Sequence, residues 1–128
     1  MARAAIPPTV LIVEDETLIS HLVADWLNDR GFAVHEAASG DEALDYIDQG
    51  GAVDVMFTDI NLPGSINGAE LATQVRARRP ELPIVYASGR CSAGDIAPLV
   101  SRSVFMPKPY NPDDVCTLLE RLTGSLPH

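Results

Sequence analysis

Five short apolar runs, separated by stretches of helical periodicity, constrain this chain more than any other feature. The runs fall at residues 9–13, 32–37, 53–57, 84–87 and 104–106. Between them, apolar residues recur every three or four positions. Leu18, Ile19, Leu22, Val23, Trp26 and Leu27 form one such set, and Ala43, Leu44 and Ile47 a second. Leu71, Ala72 and Val75 form a third, and Val115, Leu118, Leu119 and Leu122 the last. Strands that read as nearly unbroken apolar runs are buried on both faces, and helices alternating with them supply the cover. The expected class is therefore α/β, a doubly wound parallel five-stranded sheet. Between the fourth and fifth strands the pattern weakens. Gly94 and Pro98 interrupt residues 91–103, so a shortened or irregular fourth helix is expected there.

Boundary signals support the same elements. Gly31 is placed to end the first helix, and Ser39 with Glu42 has the spacing of a capping box opening the second. Gly50-Gly51 ends it, and the third helix begins near Asn67-Gly68. Arg76, Arg78 and Arg79 crowd the close of that helix, where cations suit its dipole, and Pro80 stops it. They are expected to be solvated. Asn111-Pro112-Asp113-Asp114 combines a capping Asn, a Pro at the first helical position and first-turn acids. The expected division is an N-terminal tail over 1–8, one domain over 9–123 and a C-terminal tail over 124–128.

Composition excludes several function classes. Hydrophobic residues make up 46% of the 128, enough for an ordinary core. The net charge of −9 lacks the positive footprint that nucleic acid or an anionic membrane requires. No apolar run approaches the ~20 residues of a membrane span, and residues 1–8 lack a secretory signal's apolar stretch. Cys91 and Cys116 match no metal or redox spacing, which favours free thiols and a cytoplasmic location. His21, His35 and His128 have no neighbours suggesting catalysis or metal binding and are expected to be structural or exposed.

Chemistry is expected at the carboxyl ends of the strands, where open α/β sheets bind their ligands. Glu14 and Asp15 follow the first strand, Asp59 ends the third, Ser88 the fourth, and Lys108 follows the fifth. Three carboxylates on one rim repel one another unless a cation joins them. Mg2+ takes oxygen ligands and needs only one or two carboxylates beside phosphate oxygens. With the cation present, Asp59 could attack an incoming phosphoryl group as a carboxylate nucleophile. Lys108 would offset charge on the transferred oxygens, and Ser88 could donate to one of them.

These residues carry a family resemblance. Leu11-Ile12-Val13-Glu14-Asp15-Glu16, Thr58-Asp59-Ile60-Asn61-Leu62-Pro63, Asn67-Gly68, Ser88-Gly89 and Lys108-Pro109 together resemble a two-component response-regulator receiver domain. The likeness is to the stand-alone, chemotaxis-like type and covers residues 9–123. It implies a flavodoxin-like (βα)5 fold with strand order 2-1-3-4-5. It further implies Asp59 as phosphoacceptor, and Mg2+ held by Asp15, Asp59 and the backbone carbonyl of Asn61, with Glu14 completing the acidic pocket. Ser88 would be the switch hydroxyl, Lys108 the phosphate partner and Phe105 the aromatic switch.

Four departures stand out. Glu14 replaces a common Asp and is expected to ligate through water, and Phe105 replaces a common Tyr. The Gly64-Ser65-Ile66 stretch is one residue longer than usual, and residues 91–103 are abbreviated on a face relatives use for output.

Two functions follow. In the first, a sensor histidine kinase or histidine phosphotransfer protein phosphorylates Asp59, and altered protein–protein binding carries the signal to a downstream protein. The domain would be a monomer or a weak phosphorylation-dependent dimer, with only slow self-catalysed phosphorylation and dephosphorylation. In the alternative, it is a receiver-like interaction module or a phosphate sink with little phosphorylation-dependent output. Nucleotide-binding glycine motifs are absent, so nucleotide binding has no support, and Asn61 stands where a phosphatase with an aspartyl nucleophile would carry a second Asp, so no such enzyme is expected.

Overall fold

A computed structural model of the chain describes residues 7–60, 62, 64, 66–88, 103–108 and 111–124. Among the described residues, nine elements run in the order β1 (Thr9–Val13), α1 (Thr17–Asp29), β2 (Ala33–Ala37), α2 (Gly40–Asp48), β3 (Val55–Asp59), α3 (Gly68–Arg78), β4 (Ile84–Ser88), β5 (Ser103–Pro107) and α4 (Pro112–Thr123). The strands form one sheet in the order β2-β1-β3-β4-β5, and every neighbouring pair is parallel. The expected sheet is therefore present. The irregular fourth helix expected over 91–103 falls, but for Ser103 at the start of β5, outside the described residues.

Strand side chains alternate between two cores, as the pleat requires. Val10 and Ile12 of β1, Val55 and Phe57 of β3, and Val85 and Ala87 of β4 face α1 and α4. Leu11, Val13, Met56, Ile84 and Tyr86 face α2 and α3. Both faces are buried, which accounts for the continuous apolar runs. The cores also fix where the strands stop: each central strand ends as its chain leaves the sheet, and the polar residues gather there.

Helix starts show local chemistry at work. Ser39 caps α2 by accepting from the Glu42 N–H at 3.2 Å, but the Glu42 carboxylate reaches back to the Ala38 N–H instead of closing the box on Ser39. The complete box lies at α3, where Asn67 Oδ1 accepts from Glu70 N–H and Glu70 Oε1 accepts from Asn67 N–H, both at 2.9 Å. At α4, Asn111 accepts from Asp114 N–H at 2.8 Å with Pro112 in the first turn.

Two sequence expectations change. The periodic apolar set of α1 divides: Val23, Ala24 and Leu27 are buried with Ser20, whereas Leu18 is 85% and Leu22 50% exposed. The helix rests on the sheet over a face narrower than its apolar residues would cover. The arginines closing α3 are not free in solvent either. Arg76 Nε donates to Leu82 O at 2.6 Å, Arg78 pairs with Asp48 of α2, and Arg79 donates to Gly51 O at 3.0 Å. Arg78 and Arg79 tie the α3 end to the preceding helix and loop, and Arg76 ties it to the loop that follows, because those segments converge at the amino edge of the sheet.

Among the histidines, His21 contacts Glu36 at 2.7 Å and His35 stacks on Tyr46 with ring centroids 3.7 Å apart. His128 and Cys91 lie outside the described residues. Cys116 is a buried free thiol packed against α1, with Sγ 3.6 Å from Trp26 O. Among the described residues no helix is long and apolar enough to cross a membrane.

Candidate functional site

Pairing of β1 with β3, and of β3 and β5 with β4, brings residues distant in sequence onto one carboxyl edge. Glu14, Asp15 and Asp59 each offer a carboxylate oxygen, and the three oxygens lie within 4.8 Å of one another. Lys108 Nζ donates to Asp59 Oδ2 at 3.2 Å and sits 3.6 Å from Glu14 Oε1. The two flanking carboxylates are largely shielded, with side-chain exposures of 7% for Glu14 and 11% for Asp59. An ammonium held between two such carboxylates is a strong interaction, since little water screens it.

The backbone beneath this cluster is tightly built. Thr58 Oγ1 donates to the Asp59 carbonyl at 2.9 Å, satisfying a hydroxyl buried in β3. Gly68 N–H donates to Ile60 O at 2.8 Å, so α3 begins directly against the end of β3. A Cβ at Gly68 would lie 2.3 Å from the Asp59 carbonyl oxygen and 2.8 Å from the Ile60 Cα. Glycine at the start of α3 is thus required by close approach, a reason the sequence did not disclose.

Glu14 does more than complete an acidic group. Its Oε2 accepts the Glu16 N–H at 3.1 Å, serving the N-terminus of α1, while Oε1 faces Lys108. Glu16, at the cap position itself, makes no side-chain capping bond. Burial pushes the Glu14 carboxyl above its ordinary value of 4.5. The Glu16 N–H and Lys108 pull it down, and Asp59 and Asp15 push it further up. A carboxyl so placed binds its proton more tightly folded than unfolded. Its favourable contribution to stability is therefore complete below the ordinary value and is lost as pH rises through the folded one. In EDTA, the native protein is expected to lose stability over that range relative to Glu14→Gln, and denaturant midpoints at stepped pH measure it. A pH profile identical for the two proteins would contradict the burial effect.

The other sequence candidates are placed unevenly. Phe105 lies in β5 opposite Tyr86 of β4 and packs, half-buried, against the α2–α3 core. Ser88 ends β4 in register with Pro107, but its side chain is outside the described residues, as is Asn61. Sequence reasoning did not find the Glu14–Lys108 contact or the part played by Gly68. The quoted Asn67-Gly68 pair was the only signal for the latter.

Strand order 2-1-3-4-5 with a polar cluster at the β1/β3 edge places the chain in the flavodoxin-like class of doubly wound domains. The response regulator receiver domain family matches residues 10–120, and the chain belongs to that family. It is 32% identical over 117 residues to the sensor kinase CckA of Brucella abortus, covering 89% of this chain and 12% of the kinase. It is 35% identical over 120 residues to the nitrogen assimilation regulatory protein NtrX of Azorhizobium caulinodans, covering 91% of this chain and 26% of the regulator. The chain therefore spans a small part of these two relatives.

Among solved structures, a response regulator receiver protein from Sinorhizobium medicae superposes with a TM-score of 0.86 at 28% identity, covering 93% of this chain and 96% of the other. The chemotaxis response regulator CheY4 of Vibrio cholerae gives 0.80 at 30% identity, with coverages of 91% and 99%. Phosphorylation and Mg2+ are features of this family, and receiver domains interact with histidine kinases or phosphotransfer proteins.

Proposed function

We propose that Asp59 accepts a phosphoryl group from a sensor histidine kinase or a histidine phosphotransfer protein, and that this changes how the domain binds other proteins. The observation that supports it most is the Lys108 ammonium lying 3.2 Å from Asp59 and 3.6 Å from Glu14 within one acidic cluster. An Asp59 carboxylate oxygen attacks phosphorus as the phosphorus–nitrogen bond to the donor imidazole breaks. The bonding pair returns to the imidazole, and an acyl phosphate is left on Asp59. Lys108 meets the negative charge carried by the arriving phosphoryl oxygens.

Glu14, Asp15 and Asp59 are the residues that would hold Mg2+, and their all-oxygen donor set fits a hard cation. When bound, Mg2+ supplies positive charge beside the phosphoryl oxygens. Glu14 orients Lys108 with one oxygen and the first turn of α1 with the other. In this reading the domain spans residues 9–123, with 1–8 and 124–128 as tails. It acts in the cytoplasm, and its catalysis is slow formation and loss of its own acyl phosphate.

The direct test is incubation with acetyl phosphate, followed by intact-protein mass measurement. One phosphoryl group is expected in the presence of Mg2+ and none in excess EDTA. Absence of the adduct with Mg2+ present would reject the reading and favour an interaction module that does not use phosphorylation.

A further inference from the structure

Asp15 is the exposed member of the acidic cluster, whereas Glu14 and Asp59 beside it are shielded. Side-chain packing therefore does little to hold its carboxylate within 4.8 Å of the other two, and the backbone turn from β1 into α1 must place it. That turn is anchored on both sides. The Glu14 N–H donates to Ala37 O of β2 at 3.0 Å, and Glu16 O accepts the Ser20 N–H of α1 at 3.0 Å. Between these anchors, Glu14 Oε2 accepts the Glu16 N–H at 3.1 Å and closes the chain around Asp15.

Glu16 holds the cap position of α1 with an extended backbone, φ −82° and ψ 104°, and its own side chain makes no capping bond. Its N–H is served instead by the acid two residues earlier. Asp and Asn side chains set turn geometry through the same i to i+2 bond. Glu is one methylene longer, which gives its second oxygen the reach to Lys108, 3.6 Å away. The buried Glu14 side chain thus cannot swing outward without giving up both the turn and the lysine.

We infer that Glu14 is a positioning residue for Asp15: by closing the β1–α1 turn on the Glu16 N–H, it sets the Asp15 carboxylate against Asp59 for a shared cation. The inference deepens the Asp59 reading above and rests on it. Groups that orient a metal's ligands typically change its affinity by about 10- to 100-fold when lost, and a single bond from a neutral N–H belongs at the lower end of that range.

Glu16→Pro removes the donor and keeps Glu14, Asp15, Asp59 and Lys108. The φ of −82° is close to the angle that proline imposes. Glu16→Ala keeps the donor and controls for the lost side chain. In the full chain, the rise in melting temperature over a series of MgCl2 concentrations gives the cation affinity of the unphosphorylated protein. Glu16→Pro is expected to bind Mg2+ about tenfold more weakly than Glu16→Ala, which should match the native protein. Labelling by acetyl phosphate should need the same excess of Mg2+ and then reach the native rate, since the nucleophile and the lysine are untouched. Glu14→Ala combined with Glu16→Pro should bind no more weakly than Glu14→Ala alone, because both remove one hydrogen bond. A direct effect of the proline ring on Asp15 would add to that of Glu14→Ala instead. Should Glu16→Pro fail to fold, Glu14→Gln against Glu14→Ala decides. Both lose the charge, and the amide oxygen of Gln can still accept from Glu16, so Ala is expected to bind about tenfold more weakly than Gln.

Equal Mg2+ affinity in Glu16→Pro and Glu16→Ala overturns the inference, as do additive losses in the double variant. Equal losses in Glu14→Gln and Glu14→Ala overturn it too, and leave Glu14 acting through its charge. A labelling rate that stays low at saturating Mg2+ would replace it with a general distortion of the pocket. Native protein that takes no label removes the Asp59 reading and this one with it. Normal native labelling with an unaffected Glu16→Pro removes only the positioning role.

Discussion

Asp59→Asn is expected to take no label from acetyl phosphate with Mg2+ present, a loss on the order of 10³ or more relative to the native protein. The size follows from what the substitution removes. An amide oxygen carries no full negative charge and is a poor nucleophile toward phosphorus, while its shape matches the carboxylate and leaves β3 intact. Lys108 retains Glu14 as a partner at 3.6 Å, so the ammonium is not stranded. Asp59 is also one of the charges that pushes the Glu14 carboxyl up, so its removal relieves like-charge repulsion in the cluster. The metal-free variant is therefore expected to melt at or above the native temperature while losing the adduct. That pairing separates loss of the nucleophile from loss of the fold. Label persisting on the Asn variant would place the acceptor elsewhere in the chain.

The second large effect belongs to Gly68→Ala. The added methyl would meet the Asp59 carbonyl oxygen at 2.3 Å and the Ile60 Cα at 2.8 Å. Both obstacles are backbone, so no side chain can rotate aside. Either α3 withdraws from β3 or the Asp59–Ile60 peptide shifts. The first course stretches the Gly68–Ile60 hydrogen bond of 2.8 Å, and the second moves the proposed acceptor away from Lys108. Overpacking of this kind costs about 1–3 kcal/mol, which for a domain of this size lowers the melting temperature by roughly 4 °C per kcal/mol. Labelling should fall as well, because the displaced backbone carries the reacting side chain. Differential scanning calorimetry and the mass assay measure the two losses. A variant that melts and labels like the native protein would show that the approach relaxes at no cost.

Much of the architecture was legible because the signals are local. Continuous apolar runs at β1, β3 and β4 report burial on both faces, whatever their neighbours prove to be. The α4 start was readable from Asn111 and Pro112, since capping is decided within one turn. Strand-end polar residues could be named in advance because a doubly wound sheet collects ligands on that edge.

Other features were invisible for a common reason. Periodicity shows that a helix has an apolar face, but not how much of it a neighbour will cover. Hence Leu18 and Leu22 join Val23 and Leu27 in the sequence pattern yet stand exposed in the fold. Charge at a helix end likewise says nothing of what lies opposite, and Arg78 finds Asp48, thirty residues earlier, only because α2 and α3 lie side by side.

By itself the sequence determined the alternating elements, their caps and the identity of the acids and the lysine that end the strands. These depend on neighbours a few residues away, where backbone geometry leaves little choice. Tertiary structure alone decided the seating of Lys108 between Glu14 and Asp59 and the close approach at Gly68. Each of those is a distance between segments far apart in the chain. Such distances are set by which faces pack together, and that choice is made by the whole core at once.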